Sequence, residues 1–102
     1  MAGKIYIGDR TIDGCLVTVD DTPLDLALSV KAISDDGIEW SYEGAGPAQL
    51  ALAILVDHLG NADQALRLHE GFMRHVVANF DNEWEMSSTD IDVALSNISR
   101  RN

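Results

Sequence analysis

The chain has 102 residues, 46% of them hydrophobic, and a formal charge of −10 at neutral pH. That length and apolar share suit one globular domain over 1–102 and argue against disorder. The charge argues against direct nucleic-acid binding through a basic footprint and against adhesion to an anionic membrane, and no apolar run reaches the ~20 residues of a membrane span.

The N-terminal stretch Met1-Ala-Gly-Lys-Ile-Tyr-Ile7 lacks the apolar core of a signal peptide, so a cytoplasmic location is expected. Cys15 is the sole cysteine, which rules out an internal disulfide and agrees with a reducing compartment. Its ordinary role is that of a small apolar strand residue rather than a reactive thiol.

Lys4-Ile-Tyr-Ile7 predicts a first strand. Asp13-Gly14 marks a hairpin, with a loop of several residues, into a second strand at Cys15-Leu-Val-Thr-Val19. Asp20-Asp-Thr-Pro23 breaks the chain again. Leu24 to Ile33 alternates like a strand yet also suits a helix; an extended or irregular segment is expected. Asp35-Asp-Gly37 turns the chain into Ile38-Glu-Trp-Ser-Tyr42, where Ile38, Trp40 and Tyr42 share a face at period two, the pattern of a third strand.

Next comes a helix at about 47–59, with Gly46 a permissible N-cap, Pro47 at the first helical position and Gly60 a left-handed stop. Leu50 to Val56 carries no polar side chain, so this helix has to be covered on every face and should be the central element. Asn61-Ala-Asp-Gln64 has the form of a capping box. Ala62, Ala65, Leu66, Phe72, Met73, Val76, Val77 and Phe80 then recur at three- and four-residue spacing, predicting an amphipathic helix of roughly 18 residues. Gly71 inside it points to close packing. Trp84 and Met86 read as a short extended piece returning over the core. Ser87-Ser-Thr-Asp90 opens a last helix with Ile91, Ala94, Leu95 and Ile98 on one stripe. The fold class that results is α+β: a small antiparallel sheet from the N-terminal half packed on two to three C-terminal helices.

Glu39-Trp40, followed by Tyr42-Glu-Gly-Ala-Gly-Pro-Ala-Gln-Leu-Ala-Leu-Ala-Ile-Leu55, resembles the signature of a family of small uncharacterised domains, the DUF6166 type, of bacteria, haloarchaea and their viruses. A phrase of the form Phe-Glu-Trp-Gly-Tyr-Gly-Gly-Ser-Gly-Pro-Ala-Gln-Leu-Ala-Leu-Ala recurs there. The likeness extends to the Ile-Tyr-Ile-Gly strand, the Phe72…Val76-Val77 helix and the tryptophan before a Ser/Thr-capped last helix. Ile38 stands where Phe is common, and Glu43 and Ala45 replace small residues, changes that leave the fold intact. The resemblance implies a compact intracellular domain, often near mobile elements, and brings no catalytic residue with it.

No catalytic constellation is readable. His69 and His75 lie six apart, on different faces of a helix, and no second cysteine completes a zinc site; the histidines are expected at the surface, with no metal and no cofactor. No nucleophile elbow surrounds Ser41, Ser87 or Ser88. The turn at Gly44 and Gly46 entering a helix has the look of an anion cradle, but lacks the Lys-Ser/Thr of a phosphate loop. It is first a turn, and second an alternative ligand site together with His58. The acids Asp20, Asp21, Asp35, Asp36, Glu39 and Glu43 concentrate in the first half without the spacing of a calcium loop. Acidity of this kind keeps a small protein soluble, and it can also occupy a basic protein groove in place of phosphates. The leading expectation is a non-enzymatic binding protein whose partner has a basic surface, in its narrowest form an anti-CRISPR-like inhibitor encoded by a virus or mobile element. An enzyme or small-ligand domain using the glycine turn, and a structural or regulatory homo-oligomer, are the alternatives.

Overall fold

The computed structural model describes residues 3–101. Strands β1 (Ile5–Thr11) and β2 (Gly14–Val19) form an antiparallel hairpin, closed by two residues rather than several, because Thr11 pairs directly with Gly14. Thr11 Oγ1 takes the Asp13 N–H and donates to the Gly14 carbonyl, which holds the tight turn. The next turn is also tight. Asp20 and Asp21 both take positive φ, 49° and 67°, and lead into the two-residue strand β3 (Thr22–Pro23). A two-residue hairpin loop needs that left-handed backbone, and aspartate tolerates it better than most residues.

Residues 24–44 are irregular, as expected for the first part but not for Ile38–Tyr42, which forms no strand. The place beside β1 is taken instead by β4 (Glu83–Ser87), so the sheet order is β3-β2-β1-β4. The backbone of the 38–42 segment is committed elsewhere. The Ser41 N–H donates to the Val77 carbonyl, the Trp40 carbonyl accepts from Arg10, and Ser41 has φ +81°. Its period-two pattern reflects a buried Trp40 between two less buried neighbours, not a ladder.

Helix α1 (Ala45–Leu59) starts earlier than the sequence reading placed it, with Gly44 as N-cap and Ala48 N–H donating to the Gly44 carbonyl. Pro47 therefore sits in the third helical position, where the N–H it lacks would have had no intrahelical acceptor. Every residue from Pro47 to Leu55 is buried. Gly60 ends the helix in the left-handed conformation, with its N–H on the Val56 carbonyl. Asn61 then caps α2 (Ala62–His75), its side-chain oxygen accepting from the Gln64 N–H. This helix is 14 residues long, shorter than expected, because the β-branched pair Val76-Val77 leaves the helix and continues as a 3-10 turn over Val77–Asn79. Asn79 Nδ2 donates to the freed His75 carbonyl. In α3 (Ser88–Arg101) the cap is reciprocal: Ser87 Oγ accepts from the Asp90 N–H, and Asp90 Oδ2 from the Ser87 N–H. A Cβ on Gly71 would stand 3.3 Å from Ile98 Cγ2, so α2 and α3 do approach closely there.

One apolar cluster joins the inner face of the sheet (Tyr6, Val17, Trp84) to α1, to Phe72 and Met73 of α2, and to Ile91 of α3. The helices cover one side of the sheet. Nothing among the described residues covers the other: Ile5, Ile7 and Leu16 point away from the core, and Leu16 keeps 55% of its surface. No helix is long and apolar enough to cross a membrane among the described residues.

Candidate functional site

The signature segment acts in packing. Gln49, with no exposed surface, makes four hydrogen bonds: its Oε1 accepts from the N–H of Ile33 (2.7 Å) and Ser34 (3.2 Å), and its Nε2 donates to the carbonyls of Leu26 (2.7 Å) and Lys31 (3.1 Å). One side chain thus pins the irregular 24–34 loop to α1. Gly46 lacks a Cβ because that atom would lie 2.9 Å from Glu39 Cβ, and at Gly44 it would lie 2.9 Å from the Tyr42 ring. The space an anion would need beside these glycines is filled by Glu39 and Tyr42. His58 stands at the other end of α1, about 20 Å away at 1.5 Å per residue, where its Nε2 meets Asp92 Oδ1 at 2.6 Å and ties α1 to α3. The turn and His58 do not share a site.

Glu39 belongs to a knot around Arg10. The guanidinium donates to Glu39 Oε1 (3.0 Å), to the Trp40 carbonyl (2.9 Å) and to Asn82 Oδ1, and lies 5.0 Å over the Trp40 ring. Burial pushes the Glu39 carboxyl up, but the Arg10 hydrogen bond, helped by the Cys15 thiol and the Trp40 N–H, brings it below its ordinary value. Burial first, then Glu39, raises the Cys15 thiol, against an opposing pull from Arg10. A thiol held up in this way is poorly nucleophilic at neutral pH. Trp40 and Trp84 are buried, ring edge to ring face at 5.8 Å, and Phe80 stacks on Trp84 at 4.2 Å. Both tryptophans belong to the apolar core. His69, expected at the surface, is buried in α2 with Nδ1 donating to the Leu66 carbonyl.

The remaining candidate acids divide. Asp20 accepts from the Ile5 N–H at 2.9 Å and so helps close the sheet, and Glu43 lies 3.7 Å from Arg74. Asp21, Asp35 and Asp36 are exposed and make no ion pair among the described residues. Asp36 flanks a depression of about 310 Å³ with Leu16, Pro23 and Leu26. A second depression, of about 370 Å³, lies between β1 and β4 and is lined by Ile7, Gly8, Asp9, Glu83, Trp84 and Glu85. Among the described residues no group of three or more His, Cys, Asp or Glu could hold a metal ion.

This arrangement, with Glu39, Trp40, Gly44, Gly46 and Gln49 each engaged in building the fold, accompanies a match to the model of a family of unknown function, DUF6166, over residues 6–97. The chain belongs to that family. A search of curated proteins and a search of solved structures gave no match. In this DUF6166 domain the sheet brings together Asp9, Glu83 and Glu85, acids that the sequence did not single out. Asp9 pairs across the strands with Glu83 and with Leu16, while Ile7 pairs with Glu85 and Thr18. Their period-two placement was readable in each strand alone. Their adjacency was not, because it depends on which distant segment pairs with β1.

Proposed function

We propose that this DUF6166 domain is a non-enzymatic binding protein that occupies a basic surface on a protein handling nucleic acid. The observation that carries the reading is uncompensated charge. Lys4, Arg10 and Arg74 each face a carboxylate of the same molecule. Asp9, Asp21, Asp35, Asp36, Glu83 and Glu85 have no cation within ion-pair distance among the described residues. Carboxylates held on tight turns and a rigid sheet present charge at fixed positions, and a groove shaped for phosphates responds to charge and position. A CRISPR effector is one member of that partner class, and inhibition by blocking its groove is the narrowest form of the proposal. The glycine turn offers less, since Glu39 and Tyr42 fill it.

The test is capture by the immobilised protein from lysate of its source cell, at low and moderate salt, with duplex DNA and single-stranded RNA as competitors. The proposal expects a basic nucleic-acid-binding protein, retained less as salt rises and released by one of the competitors. Retention of acidic proteins, or of partners indifferent to nucleic acid and salt, contradicts it.

A further inference from the structure

The outer face of the sheet combines exposed apolar side chains with carboxylates unpaired among the described residues. It carries Ile5, Ile7 and Leu16, which retain 37%, 40% and 55% of their surface, with Thr18 across from Ile7 and Asp9 across from Leu16. Its β4 side is acidic. Glu83 sits directly across from Asp9, and Glu85 directly across from Ile7, two positions further along the same face. None of these three carboxylates makes an ion pair or a side-chain hydrogen bond among the described residues. Like charges directly opposite in an antiparallel pair destabilise the ladder. A lysine opposite Glu83 would strengthen the sheet; aspartate weakens it. The groove of about 370 Å³ runs between these acids, floored by Gly8 and Trp84.

We infer that this face is the docking surface, and that its occupant is a basic amphipathic segment of a partner protein. The inference deepens the function proposed above and rests on it. Apolar side chains of the segment sit on Ile5, Ile7 and Leu16, and its Lys or Arg side chains reach over the groove to Asp9, Glu83 and Glu85. A cation between Asp9 and Glu83 turns their repulsion into two attractions, so bound and free states differ most at that pair. A second copy is a poor occupant, because face-to-face pairing would set three carboxylates against three. A phosphate backbone is repelled for the same reason.

The experiment uses the full chain, labelled with nitrogen-15 and titrated with a synthetic Leu/Lys amphipathic peptide and its Leu/Glu counterpart. The expected result is saturable movement of the β1, β2 and β4 amides with the Leu/Lys peptide alone. Glu83→Gln/Glu85→Gln should weaken that binding about tenfold, and Asp35→Asn/Asp36→Asn by less than about twofold. Glu83→Gln should at the same time raise the thermal midpoint, a gain that a mere loss of folding would not give. No saturable shift, or equal shifts with both peptides, overturns the inference. Shifts confined to residues 20–21 and 35–36, lost in Asp35→Asn/Asp36→Asn, overturn it while leaving the broader reading standing. Concentration-dependent mass without peptide, abolished by Ile7→Ser, assigns the face to a second copy and overturns it too. Failure of the broader reading shows separately, in capture that nucleic acid and salt leave unchanged.

Discussion

Gln49 is the residue on which the loop between the sheet and α1 depends. Its amide satisfies two backbone N–H groups and two carbonyls that have left regular structure. A buried backbone group without a partner costs about 1–3 kcal/mol, so Gln49→Ala should lose at least about 3 kcal/mol of unfolding free energy. Denaturant unfolding followed by circular dichroism measures it; a loss under about 1 kcal/mol would mean that water replaces the amide. Glu39 gives a prediction in pH. Its carboxyl is held below its ordinary value of 4.5, so its contribution to stability is complete above that value and is lost as pH falls through the lower, folded-state value. Glu39→Gln should therefore narrow the gap to wild type as a denaturation series is taken below 4.5. A gap that stays constant would show that the Arg10 pair contributes no proton linkage. The effect is read as the difference between the two proteins at each pH.

At the scale of elements, the caps of α2 and α3 and the stop of α1 were legible because each is local: Asn61, Ser87 with Asp90, and Gly60 act on residues within one turn. The continuous apolar stretch of α1 likewise announced its central place. Strand choice was not legible. Ile38–Tyr42 and Glu83–Ser87 both alternate, and only tertiary contacts decide which pairs with β1. In the pairing observed, Trp84 of β4 lies on Gly8, where a Cβ would stand 2.1 Å from the indole nitrogen. Gly8→Ala should expel the indole, cost at least about 2 kcal/mol and red-shift the tryptophan emission. Unchanged emission with unchanged stability would mean that the sheet shifts to make room. The candidate acids were chosen from the sequence as neighbours in the chain. Asp9, Glu83 and Glu85 become neighbours only through register, which no local pattern specifies.

For the whole molecule, the helices cover one face of the sheet and leave an apolar, acid-rimmed face open. Stability and binding pull in opposite directions there. Removing the Asp9–Glu83 repulsion should stabilise the free domain by about 0.2–1 kcal/mol while weakening its hold on a basic partner. Raising salt should act the same way, weakening the complex through screening. Salt sensitivity of the complex should then be shallower in Glu83→Gln/Glu85→Gln than in wild type; equal sensitivity would place the contact elsewhere on the acidic surface.

Binding of a basic protein by the open sheet face is tested by the dissociation constant of the partner captured from lysate, for wild type and for Glu83→Gln/Glu85→Gln side by side. A loss of about tenfold, some 1.4 kcal/mol, is the predicted result. Equal affinities of the two proteins for that partner would contradict binding at this face.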